Sequence, residues 1–180
     1  MNFELTPHPT PQTQNSAFHI QKSMFRLRLM SFTIIERSLF MYSLCTEESF
    51  DSAHFLKDYI GKCSNIHGHR WRVVAEIKSN TLCENGQTRS MVVDFGDFRG
   101  YLKEITDEFD HCLIIEKGSL NPLLLQMLRE ENFAVREVEF RPTAEEFARY
   151  FYNRMKNGGF PMSRVTVYET PNNCAAYEEE

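Results

Sequence analysis

Four of the six histidines fall between His54 and His111, and two of them stand as His67-Gly68-His69. If a strand starts there, side chains at i and i+2 share a face, so both imidazoles reach one ion, and Gly68 lets that ion approach the backbone. By itself a His-x-His pair is weak, because two histidines at a strand edge are equally well satisfied by water. His54, closing Phe50-Asp51-Ser52-Ala53-His54, supplies a third nitrogen if the first two strands are neighbours. Three histidines without a fourth protein ligand leave one position open, as in a catalytic zinc centre. A cupin-type site needs a glutamate four or five residues after the second histidine. Val73 and Val74 stand there, and that reading fails.

Cys63 lies four residues before His67. A buried structural thiol is the plain account of it, whereas a metal and histidines nearby make it a usable base or nucleophile. Asp110-His111 is either a helix C-terminal pair, with His favoured at the negative dipole end, or a carboxylate that sets the tautomer and basicity of a proton-shuttling imidazole. Glu169, late in an apolar run, is a solvated edge carboxylate or a group that grips a guanidine-like amide edge through paired hydrogen bonds.

The elements that must position these groups are legible in the periodicity. Tyr42–Phe50 and His69–Lys78 read as strands, Asn80–Arg89 with Asn85-Gly86 as a hairpin tip, and Met91–Asp94 as a third extended piece. Phe95, Phe98, Leu102, Ile105 and Phe109 recur at helical spacing. Asn121-Pro122 opens a short helix through LLLQML, and Thr143-Ala144-Glu145-Glu146 has capping-box form ahead of a helix that ends at Gly158-Gly159. Arg164–Glu169 and Ala175–Tyr177 read as closing strands. Strands, then helices, then strands, without βαβ alternation, predict an α+β fold with an antiparallel sheet.

The chain of 180 residues has room for one sizeable core, and a hydrophobic share of 42 % places it among globular domains. A formal net charge of −5 argues against nucleic acid or an anionic membrane surface as partner. Five cysteines without a Cys-x-x-Cys pair suit a reducing cytoplasm. Residues 1–40 differ from the rest: a Pro/Thr/Gln-rich stretch precedes Met24–Phe40, which mixes apolar residues with Arg26, Arg28, Glu36 and Arg37. They contain no apolar run long enough for a transmembrane helix. They read as a disordered extension or as translation from a misplaced start, with Met41 the natural beginning, and an organelle-targeting peptide is the alternative.

The ordered set FDSAH, CSNIHGH, MVVDF, FDH, PTAEEFA and YETPNNCAAY, spread from Met41 to Tyr177, resembles the 6-pyruvoyl-tetrahydropterin synthase superfamily, most of all its bacterial queuosine-pathway branch. The resemblance implies a tunnelling fold: a four-stranded antiparallel sheet with helices on one face, three subunits forming a barrel and two barrels a homo-hexamer, with active sites between subunits. It implies Zn2+ held by His54, His67 and His69, a catalytic Cys63, Asp110 and His111 as proton relay, and Glu169 anchoring a pterin. The implied substrate is 7,8-dihydroneopterin triphosphate. The carboxy branch yields 6-carboxy-5,6,7,8-tetrahydropterin, acetaldehyde and triphosphate, and the pyruvoyl branch releases triphosphate without loss of carbon. A metal-binding but inactive module on the same fold is a further alternative. Two features depart from the family pattern: 30 residues, Cys112–Arg141, separate FDH from PTAEE, and Arg141 precedes Pro142 where asparagine is usual.

Overall fold

The computed structural model describes residues 41–179; the expectation for residues 1–40 lies outside the described residues. Strands β1 (Tyr42–His54) and β2 (His67–Ser79) pair antiparallel along their whole length, with Phe50 opposite Trp71, Ser52 opposite His69 and His54 opposite His67. A 3-10 turn, Lys62–Ser64, interrupts the connection between them. Helix α1 (Phe95–Asp107), strand β3 (Leu113–Glu116), helix α2 (Pro122–Glu130), strand β4 (Val135–Val138), helix α3 (Ala144–Asn157) and strands β5 (Met162–Thr170) and β6 (Asn173–Tyr177) follow.

The α+β class holds, but the sheet differs from the four-stranded antiparallel one expected. It has six strands in the order β4-β3-β1-β2-β5-β6. Four of them, β1-β2-β5-β6, pair antiparallel, while β3 pairs parallel with β1 and with β4. The sequence reading missed β3 and β4 because four-residue strands leave no period to detect. The 30-residue stretch before Pro142 is therefore a strand–helix–strand unit that widens the sheet. Met91–Asp94 is not a strand either. Cys83 and Met91 close a turn on themselves, with Cys83 N–H donating to Met91 O at 2.8 Å, and Asp94 caps α1 through Oδ1, which accepts from Gly96 N at 2.7 Å.

Asn121 and Thr143 cap the other two helices as expected, but the capping box is only half formed, because Thr143 N donates to Arg141 O at 2.7 Å and the Glu146 carboxylate is taken up by Arg149. Asn121 Oδ1 accepts from Leu123 N at 2.9 Å, and Thr143 Oγ1 from Glu146 N at 3.4 Å. Helix α3 ends at Gly158, where an added Cβ would stand 2.6 Å from Tyr101 Cε1. Both long helices lie on one face of the sheet: α1 against β1, α3 against β5 and β6. Between them and the strands sits an aromatic core in which Phe50 stacks on Trp71 at 6.0 Å and meets Phe109, Phe147 and Phe151. Among the described residues no helix is long and apolar enough to cross a membrane.

The period of two carries this core face to the end of the sheet. Along β1 it runs Phe50, Ser52, His54; along β2, backwards, Trp71, His69, His67; along β5, Val165, Val167, Glu169. The same stripe that is apolar in the centre becomes ionisable at its end, and that end is where the chemistry collects.

Candidate metal centre and active site

His54, His67, His69 and Glu169 each offer one donor atom, and the four atoms lie within 4.8 Å of one another. The ring centroids are 4.5 Å apart for His54 and His67, 5.3 Å for His54 and His69, and 5.0 Å for His67 and His69. The indole of Trp71 forms the floor, edge-on to His54 and His69. Two tautomers are set by carbonyls, which only accept: His54 Nδ1–H donates to Pro142 O and His67 Nδ1–H to Asn65 O, both at 2.8 Å. Each Nε2 therefore keeps its lone pair, and the Nε2 atoms of both rings are buried without a hydrogen-bond partner. Unpaired buried imidazole nitrogens converging on one point could hold a divalent cation through three histidines, and the carbonyls behind two of them orient those rings.

Electrostatics agree with that fit. Burial lowers the His54 pKa to about 4 against the Pro142 bond that favours protonation, and neighbouring His67 and His69 lower it further. Burial also lowers that of His69, with Glu169 opposing. Neutral imidazoles are the form that binds metal. Glu169, expected as the pterin anchor, also stands at this cluster, its Oε1 3.5 Å from His54 Nε2 and 3.7 Å from His69 Nε2.

Cys63 sits on the 3-10 turn, half-buried, its carbonyl accepting from Leu56 N at 2.8 Å. Its cleft, of about 270 Å³, is shared with Leu56, Tyr59, Thr143, Glu145 and Glu169. Thr143 and Glu145 stand in the sequence within a helix-capping motif, and the polar pair at the mouth of α3 is the only sequence signal for their place in this cleft. Glu169 thus belongs both to the histidine cluster and to the wall beside Cys63.

Asp110 and His111 lie elsewhere. They follow α1 in a turn where His111 adopts a left-handed backbone, φ 54°. His111 Nδ1 bonds Asp110 Oδ2 at 2.8 Å, and Asp110 Oδ1 accepts from Asp51 N at 2.8 Å. The Asp51 N–H, then His111, hold the Asp110 carboxyl below its ordinary pKa. The His111 side chain is 79 % exposed and lines a second cleft of about 620 Å³, which Asp51, Arg70, Leu128 and Phe133 share and which His69 of the histidine cluster also borders. The structure brings His54, His67, His69, Glu169 and Cys63 into one region and leaves Asp110 and His111 outside the Cys63 cleft.

Residues 43–180 match the family model described as 6-pyruvoyl tetrahydropterin synthase. The chain belongs to that family. A Haemophilus influenzae protein named 6-carboxy-5,6,7,8-tetrahydropterin synthase is 39 % identical over 145 residues, which span 77 % of this chain and all of that protein. An Aquifex aeolicus protein of the same name is 33 % identical over 139 residues, 71 % of this chain and 83 % of that one. Among solved structures, an uncharacterized protein from Wolinella succinogenes superposes with a TM-score of 0.65 at 23 % identity, covering 78 % of this chain and 99 % of that one. The 6-pyruvoyl tetrahydropterin synthase of Caenorhabditis elegans does so with a TM-score of 0.54 at 22 % identity, over 78 % and 96 %. The fold of the 6-pyruvoyl tetrahydropterin synthase family is thus the fold of this chain, with its sheet six strands wide.

Proposed function

We propose that this protein is a zinc-dependent carbon–carbon lyase converting 7,8-dihydroneopterin triphosphate and water to 6-carboxy-5,6,7,8-tetrahydropterin, acetaldehyde and triphosphate, in 7-deazaguanine and queuosine synthesis. The observation that carries the reading is the convergence of buried, unpartnered histidine nitrogens with Glu169 beside the Cys63 cleft. It occurs in a chain alignable over the full length of a relative bearing the carboxy-branch name.

When bound, a zinc ion held by His54, His67 and His69 supplies Lewis acidity toward the oxygens of the substrate side chain. Glu169 grips the amide edge of the pterin by paired, charge-assisted hydrogen bonds and so aligns the side chain with the histidines. Cys63, as thiolate, takes a proton from the substrate carbon beside it. His111, its Nδ1 held by Asp110, delivers or removes a proton at Nε2 on the other face. Because His111 lies outside the Cys63 cleft of its own chain, the pair serving a given Cys63 comes from another copy. The working assembly is a homo-hexamer of two stacked trimers. The catalytic domain is residues 41–180, and five unpaired cysteines suit work in the cytoplasm.

The family name also admits a 6-pyruvoyl product. Incubation of the purified, zinc-loaded full chain with 7,8-dihydroneopterin triphosphate, with the pterin product identified by mass spectrometry and acetaldehyde assayed in parallel, separates the two. A 6-carboxy product with stoichiometric acetaldehyde is expected. A 6-pyruvoyl product without acetaldehyde moves the protein to the other branch, and no turnover leaves a metal-binding module. Cys63→Ala is expected to abolish turnover while zinc stays bound; metal loss in that variant contradicts the role given to Cys63.

A further inference from the structure

The turn that carries Asp110 and His111 is held from two sides. On one side it is tied to β1: the Ser52 hydroxyl donates to Phe109 O, Asp51 N to Asp110 Oδ1, His111 N to Asp51 O at 2.7 Å, and Ala53 N to Cys112 O at 3.1 Å. On the other side stands Glu108, whose carboxylate is taken up by two arginines. Arg154 of α3 donates to Oε1 at 2.5 Å and to Oε2 at 3.2 Å, and Arg136 of β4 donates to Oε2. The Arg136 guanidinium also lies over the Phe109 ring, 5.4 Å from its centroid, and Phe109 is fully buried among Phe50, Phe147 and Phe151.

We propose that Glu108 and Arg136 are positioning residues for the Asp110–His111 pair, and that bracing this turn is the task of the strand–helix–strand unit between α1 and α3. The inference rests on the proton-relay reading of His111 given above. Arg136 grips two consecutive residues of the turn in different ways, Glu108 by a charge-assisted bond and Phe109 through its ring face. Two residues on, His111 sits in a left-handed conformation that non-glycine residues seldom adopt, and such a conformation persists only where its surroundings over-determine it. Without Arg136 the turn keeps its β1 ties, the Arg154–Glu108 bonds and the buried Phe109 ring, but it loses the fork that joins Glu108 to β4, and the exposed Asp110–His111 end can shift about those anchors. The Asp110–His111 bond survives, since both partners move together, but Nε2 is aimed elsewhere. A misplacement of about 1 Å in a reacting group is enough to cost on the order of 100-fold in rate. Arg154 alone does not substitute, because it reaches Glu108 but not Phe109. Lysine at 136 keeps the charge but not the planar fork.

The test is steady-state kinetics of the zinc-loaded full chain carrying Arg136→Ala, Arg136→Lys, Glu108→Gln or His111→Ala, with zinc content and thermal midpoint measured on each. Expected are a kcat lowered at least about 10-fold in Arg136→Ala, KM within about twofold, zinc content unchanged, and partial recovery of kcat in Arg136→Lys. Glu108→Gln falls between wild type and Arg136→Ala. Should Arg136→Ala fail to fold, the lysine and glutamine variants carry the same test. A wild-type kcat in the Arg136 and Glu108 variants overturns the inference, as does a raised KM at unchanged kcat, or a loss of kcat that follows zinc loss. If His111→Ala retains full turnover, the relay reading fails; if it is inactive while Arg136→Ala is not, only the positioning inference does.

Discussion

The histidine cluster at the end of β1 and β2 and the lone His111 after α1 use one device in opposite surroundings. His54, His67 and His111 each commit Nδ1 to an oxygen, leaving Nε2 to do the work. At the cluster those oxygens are neutral carbonyls and the rings are buried or half-buried, with His54 only 1 % exposed and its pKa lowered by burial, so the free nitrogens converge on one another without a hydrogen-bond partner. At His111 the oxygen is a carboxylate and the ring is open, so its free nitrogen faces solvent, as the proton-relay role proposed above requires. Holding one ring atom in place says nothing about function; what lies behind it and how much water reaches the other atom decide whether the ring binds a cation or carries a proton.

Removing one member of each side is the strongest way to break the comparison. His67→Ala is expected to lower metal affinity by roughly 100-fold or more and to take activity with it, read as zinc per chain after dialysis. An unchanged zinc content would remove His67 from the ligand set. His111→Ala should lose about 100- to 10,000-fold in kcat with zinc retained, the range for a general acid or base. Parallel loss of zinc would make the two sites one.

A third change tests the apolar base on which the cluster stands. Phe147 is fully buried against Trp71 and Phe50, and Phe147→Ala is expected to cost about 3–5 kcal/mol of stability, followed by denaturant unfolding. Helix α2 is the contrast: none of its residues is fully buried, so Asn121→Ala, which removes its N-cap, should cost only about 1 kcal/mol and leave zinc binding untouched.

The smallest effect is in pH. The Arg154 bond, with Arg136, holds the Glu108 carboxyl below its ordinary 4.5. A carboxylate whose folded pKa is depressed adds stability above its unfolded pKa and loses it as pH falls through the folded value. Wild type should therefore lose stability below about pH 4.5 more steeply than Glu108→Gln, whose curve is flatter there. Identical acid limbs in thermal melts would show that the ion pair contributes nothing.

Much of the site could be read from the order of residues. Alternation in β1, β2 and β5 aligned His54, His67, His69 and Glu169 with the core stripe, since a strand's two-residue period is a local property of the backbone. Less could be seen of what orients them. The carbonyls of Pro142 and Asn65 are common to every residue, so no side-chain pattern marks them. The parallel strands β3 and β4, four residues each, carry too little periodicity to stand out, and the brace from Arg136 to Glu108 joins positions 28 apart. Glu169 was expected to face a ligand; that it also stands among the histidines follows from β5 lying next to β2.

Taken alone, the chain's residue order determined the α+β class, the capped helices, the amphipathic faces and the types of side chain available for chemistry, because these depend on spacing and propensity within a few residues. The tertiary structure decided three things: the six-strand mixed sheet, the convergence of four donor atoms within 4.8 Å, and the separation of Asp110 and His111 from the Cys63 cleft. Each depends on which distant strands become neighbours, and that is settled by burying a shared aromatic core against α1 and α3.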